Sequence, residues 1–374
     1  MPETSAHPLE PLLTAAVGAR SAGPPAAALP LFISILVPVR NEAKCIERTL
    51  RGLLAQEYDP ARFEILVLDG ESTDGTPEIV AGLAEQHANL RLSNNARRLS
   101  SAARNVGIRN ARGDVVLIID GHCEVDDRRH LERLAAAFQR SGADAVARPQ
   151  PLDVRDATAL QRAIAAARSS RLGHHPESLV YAAAEAFVPA QSAAVAYRRA
   201  IFEQIGYFDE RFDACEDVEF NYRLDRAGLR CFFTPAVAVA YAPRDSLCGL
   251  YRQLARYGRG RIRLLRKHPG TFSPVSMIPL VFVIGLLAGG LASLVWTWIA
   301  VAYAAGLTLY AAIVLGASAT IALRQGQPSL LALLPPVFAT IHVASGAGMA
   351  IELARRGPRR AGIEDGGSQH ALGA

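Results

Sequence analysis

The run "VVLIIDGHC" places five apolar residues, Val115 to Ile119, ahead of Asp120 and His122. Two positions apart on extended backbone, these side chains point the same way. A carboxylate and a neutral imidazole so placed can share one divalent cation, with imidazole suiting Mn2+ better than Mg2+. The plainer reading is a histidine hydrogen-bonded in a turn, with Asp120 alone meeting the ion. Two more apolar runs end in polar groups: "LFISILVPV" leads through Pro38 to Arg40, Asn41 and Glu42, and "FEILVLD" ends in Asp69. Downstream, "CEDVEFNYRL" sets Glu216, Asp217 and Glu219 ahead of Phe220 and Leu224. Those carboxylates suit either general-base chemistry or simple electrostatic favour at a helix N-terminus.

Groups so far apart in sequence need a scaffold that gathers them. From Leu31 to about Ala147 the pattern alternates between strands and helices. Asn41 is placed to cap a helix carrying Ile46, Leu50, Leu53 and Leu54. Thr76 is placed to cap another helix, with Pro77 at its first position and Ile79, Val80 and Leu83 as its stripe. A weaker strand lies around Leu92, and Ser100 or Ser101 opens the next helix. This alternation predicts an α/β fold with a parallel sheet covered by helices, and in such sheets ligands sit at the carboxyl ends of the strands. Neither a P-loop nor a G-x-G-x-x-G follows any strand: in "GESTDGTP", Thr76-Pro77 stands where a P-loop needs Lys and Ser/Thr. A bound diphosphate would therefore be met by a metal ion or by side-chain cations. The stretch Arg148 to Ser170 contains an amphipathic helix, and the adjacent His174 and His175 read as surface loop; this region is expected to shape an acceptor site.

The chain has 374 residues, 50% of them hydrophobic. Residues 1–30, rich in Ala and Pro and lacking a basic start and a continuous apolar core, read as a disordered tail rather than a signal peptide. Residues 31–268 read as the catalytic-type domain, 269–353 as a membrane region and 354–374 as a basic tail. From Pro269 to Leu323 there is no Asp, Glu, Lys or Arg, enough for two crossings of a hydrocarbon core about 30 Å thick. The spans fall at about 276–295 and 299–322, with the turn near Trp296 and Trp298. A second uncharged run, Gln325 to Ile351, offers a third span at 330–351 but carries Pro335, Pro336 and His342. Arg252, Arg256, Arg259, Arg261, Arg263, Arg266 and Lys267 precede the first span, which places the large domain in the cytosol by the positive-inside tendency. "ARRGPRR" at Ala354 to Arg360 also favours the cytosol, which requires an even number of crossings: two spans plus a re-entrant or interfacial third segment keep the rule, and three full spans break it. The net charge of +5 is accounted for by these juxtamembrane arginines facing anionic lipid, and no motif points to nucleic acid. Five cysteines without C-x-x-C suit a reducing compartment.

"ISILVPVRNEAKCIERTL", "EILVLDGESTDGT", "SSAARNVGIRNARGDVVLIIDGHC", "YFDERFDACEDVEFNYRL" and "QLARYGRGR", in this order and spacing, resemble the family 2 glycosyltransferases, and among them the bacterial succinoglycan and exopolysaccharide type. The resemblance covers roughly Ile33 to Arg263. It implies a GT-A fold, a Rossmann-like mixed sheet with helices on both faces, and inverting transfer of a sugar from a nucleotide-diphosphate donor, assisted by Mn2+ or Mg2+. It further implies that Pro38, Arg40 and Glu42 line the nucleoside pocket, that Asp69 meets the base edge, and that Arg104 and Asp120 serve the donor. Asp120, with His122, matches the metal-binding D-x-D position; Asp217 matches the catalytic base. Glu216, Gln253, Arg256 and Tyr257 fall on the acceptor side, Tyr257 replacing the tryptophan of Q-x-x-R-W. The expected enzyme is a multi-pass protein of the cytoplasmic membrane serving a lipid-linked or surface-glycan acceptor in cell-envelope assembly. A processive synthase and a non-catalytic scaffold are the rivals.

Overall fold

The computed structural model describes residues 30–173, 184–192 and 194–355. The expected N-terminal tail up to residue 29, His174 and His175, and the basic stretch from residue 356 onward lie outside the described residues. The chain alternates as β1 (Ile33–Val39), α1 (Ile46–Leu54), β2 (Phe63–Asp69), α2 (Thr76–Ala84), β3 (Leu90–Asn94), α3 (Ser100–Asn110) and β4 (Val115–Ile118). There follow β5 (Cys123–Glu124), α4 (His130–Ser141), β6 (Ala145–Ala147), α5 (Ala159–Arg168), β7 (Ala186–Val188), β8 (Ala194–Arg198), α6 (Ala200–Ile205), α7 (Glu216–Arg226), β9 (Cys231–Phe233) and β10 (Ala240–Tyr241).

Among the described residues, eight strands form one sheet in the order β3-β2-β1-β4-β8-β6-β9-β7. β1 pairs in parallel with β2 and β4, and β2 with β3. β8 runs antiparallel to both β4 and β6. The apolar runs are unbroken because helices cover both faces. Alternate residues of β1 feed separate cores: Ile33, Ile35 and Val37 join Leu50, Leu53 and Phe138 on one side, while Leu36 joins Ile108, Tyr197, Phe208 and Phe220 on the other.

Two local expectations fare differently. α2 forms where expected with proline in its first turn, but its N-cap is Gly75 in a left-handed conformation and Thr76 is already the first helical residue. Asn41, however, does not cap α1, which starts at Ile46 after Cys45. Asn41 instead takes a left-handed conformation (φ 57°), and its Oδ1 accepts from the Thr73 amide at 2.9 Å. That bond ties it to the next loop instead of to the helix.

Beyond the sheet lie α8 (Leu247–Lys267), α9 (Ile278–Ser293), α10 (Thr297–Gln325) and α11 (Leu330–Ala354). The last three are long and apolar enough to cross a membrane. The link between α9 and α10 exposes Leu294 and Trp296, and the first turn of α10 exposes Trp298. α11 runs through Pro335 and Pro336 without a break, and the Thr340 hydroxyl donates to the Pro336 carbonyl at 2.8 Å. α8 and α11 meet backbone to backbone. A Cβ at Gly258 would lie 2.2 Å from the Ser345 carbonyl oxygen, and one at Gly348 would lie 2.1 Å from that of Ala255, so only glycine permits this approach.

Candidate active site

The carboxyl ends of β1 and β4, the loop after β2, the N-termini of α3 and α7, and one face of α8 enclose a cavity of about 740 Å³. Of the residues singled out in the sequence, Pro38, Arg40, Glu42, Arg104, Asp120, His122, Glu216, Asp217, Gln253, Arg256 and Tyr257 all line it. Asp69 stands behind the wall, 7% exposed. Its Oδ2 accepts from the Ser72 amide at 3.0 Å, while its buried Oδ1 has no partner.

One end of the cavity is built by two loops laced together. The amides of Asn41, Glu42 and Ala43 donate to the Ser72 hydroxyl (2.8 Å), the Thr76 hydroxyl (2.9 Å) and the Asp74 carboxylate (3.0 Å). Asn41, Glu71, Arg98 and Cys215 are the non-glycine residues with positive φ among the described residues, and each lines the cavity or adjoins a residue that does. Backbone held this way costs about 1–3 kcal/mol per residue and clusters where function over-determines the geometry.

Arg104 is the electrostatic centre. It is 8% exposed, with Nη1 3.3 Å from Glu216 and Nη2 3.9 Å from Asp120, and its guanidinium lies over the Phe208 ring at 5.4 Å. Burial alone would ease its proton off, but Glu216 and then Asp120 outweigh this and hold it firmly charged. Glu216 is pushed above the usual carboxylate range by its own burial, which Arg104 only partly offsets. Asp217 next to it is exposed in the first turn of α7, where its Oδ1 accepts from the Val218 amide at 2.8 Å. The pair thus divides into a buried carboxyl that holds structure and an open one that faces the cavity.

His122 packs edge-on against Tyr241, ring centroids 6.0 Å apart, with Nδ1 3.1 Å from Glu42 Oε1. Burial disfavours its charged form, yet the Glu42 hydrogen bond and the nearby Asp120 charge raise its pKa overall. A carboxylate on Nδ1 orients the ring as in the outer partner of a metal-ligating histidine, leaving Nε2 as the donor atom. Among the described residues no three His, Cys, Asp or Glu side chains gather around a metal position. Asp120 and His122 fit a cation that completes its shell with oxygens of the donor diphosphate and water, and do not form a closed protein site.

On the far side, Gln253 donates to the Tyr257 hydroxyl at 3.2 Å, while its buried Oε1 has no partner. Arg256 donates to the Asp213 carbonyl at 2.9 Å. The sequence reading missed Asn95, Arg98, Arg168, Tyr241, Arg244 and Arg261, all on the cavity wall. Asn95 had a signal, since it follows β3 at the same carboxyl edge. Its Nδ2 donates to the Leu99 carbonyl at 3.0 Å, which fixes Oδ1 as a buried acceptor without a partner. Arg168 and Arg244 gave none: they sit on α5 and on the link after β10, brought in by tertiary packing alone.

A mixed sheet with a ligand cavity at its carboxyl edge, a β4 terminus bearing Asp120, and an acidic helix start opposite it together define a GT-A glycosyltransferase. Residues 34–206 match Glycosyl transferase family 2. The chain is 32% identical over 296 residues to succinoglycan biosynthesis protein ExoA of Rhizobium meliloti, spanning 79% of this chain and 87% of that protein. It is 28% identical over 267 residues to the dolichyl N-acetyl-alpha-D-glucosaminyl phosphate 3-beta-D-2,3-diacetamido-2,3-dideoxy-beta-D-glucuronosyltransferase of Methanococcus voltae, spanning 69% and 80%. A solved mannosyltransferase from Pyrobaculum calidifontis, in complex with GDP-Man and Mn2+, shares the fold with a TM-score of 0.52 and 23% identity over 86% of this chain and 88% of that one. The chain belongs to glycosyltransferase family 2. It is an enzyme acting on a nucleotide sugar, and its three apolar helices associate it with a membrane.

Proposed function

We propose that the enzyme catalyses inverting transfer of a sugar from a nucleotide-diphosphate donor to a lipid-linked or surface-glycan acceptor at the cytosolic face of the cytoplasmic membrane. The carrying observation is that Asp217, an exposed carboxylate at the mouth of α7, shares one cavity with Asp120 and the laced loops after β1 and β2. The base of the donor sits beside Glu42 and against Asn95 and Asp69, whose unpartnered acceptor oxygens await N–H groups. The diphosphate lies by Arg40, Arg98 and Arg104. Asp120 and His122 would hold a divalent ion, which when bound would supply positive charge to the departing diphosphate. Asp217 takes the proton of the acceptor hydroxyl as its oxygen attacks the anomeric carbon. Gln253, Arg256 and Tyr257 hold the acceptor.

Two features support a membrane acceptor. The acceptor wall is α8, the helix that leads into the apolar region, and the Methanococcus relative is named for a dolichyl phosphate sugar. The membrane region is best read as α9 and α10 crossing and α11 lying against the catalytic domain, because Leu334, Val337, Phe338, Ile341 and Ala344 are buried on a cluster that includes Ile164, Leu250 and Leu254. That reading keeps the basic segments before α9 and after α11 on one side, as the positive-inside tendency asks.

The test is purified full-length protein in detergent with a panel of nucleotide sugars and membrane lipid extract. Transfer to lipid is expected, and Asp217→Asn should lower it by at least about a hundredfold with nucleotide affinity unchanged within a few fold. A long polymer product would identify a processive synthase instead, and an Asp217→Asn variant as active as the parent would remove Asp217 from the mechanism.

A further inference from the structure

We propose that Glu352, near the end of the apolar helix α11, is a positioning residue for the catalytic loop, acting through Arg263 on Asp213; this rests on the transferase reading above. Glu352 is a carboxylate on an apolar helix, 6% exposed. It is not left to the bilayer: Arg263 of α8 meets it with both arms of the fork, Nε to Oε1 at 3.0 Å and Nη2 to Oε2 at 3.2 Å. The remaining arm of the same guanidinium, Nη1, donates to the Asp213 carboxylate. One arginine thus spans a membrane-region helix and a residue of the cavity wall.

The loop that Asp213 belongs to runs straight into Cys215, Glu216 and Asp217 and is seated on α8 along its length. Arg256 binds the Asp213 carbonyl, the Cys215 thiol lies 3.7 Å from the Tyr257 carbonyl oxygen, and a Cβ at Gly260 would come within 2.6 Å of the Ala214 carbonyl. Cys215 holds a left-handed φ of 63°, so the turn that aims Asp217 is strained and needs external restraint. α8 supplies that restraint on one face, and on its other face the glycine contacts with α11 fix α8 itself. Glu352 is the ionic lock of this second contact. Its removal leaves Arg263 free to swing towards Asp213 and solvent, so the base loop loses its register while the nucleoside loops after β1 and β2, on distant elements, keep theirs.

The experiment compares parent, Glu352→Gln and Glu352→Asp, full length in lipid nanodiscs. Glu352→Gln is expected to lower kcat by about tenfold or more, as sub-ångström misplacement of a catalytic group does, with donor KM within about twofold; Glu352→Asp should recover most of kcat. A double variant with Asp213→Asn should be no worse than Asp213→Asn alone, because both changes break the same chain. Hydrogen exchange supplies a readout that does not depend on transfer: the peptide 208–218 should lose protection in Glu352→Gln while the β1 and β2 peptides do not. Unchanged kcat together with unchanged exchange in 208–218 overturns the proposal, as does additivity in the double variant or a uniform loss of protection across the domain. Absence of transfer by the parent would overturn the functional reading alone, and the exchange result would still decide the role of Glu352.

Discussion

At the scale of single residues, the site is a set of carboxylates made different by burial. Glu216 is closed in with Arg104, and Asp217, one position on, is open. Asn95 extends this logic to the donor. Its buried Oδ1 and that of Asp69 lack partners, and an unmet buried acceptor costs about 1–3 kcal/mol, which a base N–H would relieve. Asn95→Leu is therefore expected to weaken nucleoside diphosphate binding about tenfold with little change in melting temperature; calorimetric titration showing equal affinity would place the base elsewhere. His122 bears on the ion. Chelator should abolish transfer, Mn2+ should restore it better than Mg2+, and His122→Asp should shift the preference towards Mg2+; a His122→Ala enzyme equally active with both metals would leave Asp120 as the lone protein ligand. Asp120, Asp217 and the glutamates were legible because acids at strand and helix ends stand out locally. The Glu42 to His122 bond was not, since it joins positions 80 apart in sequence.

Among elements, α8 joins the catalytic domain to α11, and its last turn is pinned by charge. Lys267 Nζ lies 2.6 Å from both Asp209 and Glu219, His268 adds a contact to Glu219 at 2.9 Å, and Arg223 adds another at 3.0 Å. Burial would lift both carboxyl pKa values, but the hydrogen bonds from Arg211 and then Lys267 hold Asp209, and those from Arg223, Lys267 and His268 hold Glu219, below the usual range. Folded values below unfolded ones mean stabilisation that is fully present above the unfolded carboxylate pKa, about 4, and that fades as pH falls through the folded values. Lys267→Met should lower the melting temperature by about 2–4 °C at pH 7, the scale of 1 kcal/mol in a domain of this size. The gap to the parent should narrow in scans taken progressively below pH 4. A constant gap would mean that Lys267 acts through its methylenes instead of its charge. The helix itself was visible in sequence as a basic amphipathic stretch, though apart from Arg256, also expected at the acceptor side, its arginines read there simply as lipid contacts. Arg256 and Arg263 turn out to hold Asp213, in the loop that leads to Asp217, a use that only the placement of the loop on α8 reveals.

For the whole molecule, the question is whether the apolar helices are an anchor or part of the enzyme. An uncharged run has the same composition whether its side chains meet lipid or protein, which is why the sequence delimited the membrane region but could not show that α11 docks on α5 and α8. In the structure, Leu250, Leu254 and Ile262 of α8 are buried, the first two in one cluster with Leu334, Phe338 and Ile341 of α11 and the third packed with Met349. The half of the domain formed by β1 to β4 with α1 to α3 draws on cores that contain no residue of α9, α10 or α11. Ending the chain after Lys267 should therefore separate the two tasks. Nucleotide affinity should stay within a few fold of the parent. Transfer to lipid acceptor should fall by about a hundredfold, the scale of a 1 Å error in catalytic geometry, and should not recover when a short soluble acceptor replaces the lipid. That last comparison is decisive: a pure anchor predicts full recovery on the soluble acceptor, because α8 would then need no partner, whereas a helix that shapes the site predicts a deficit on both.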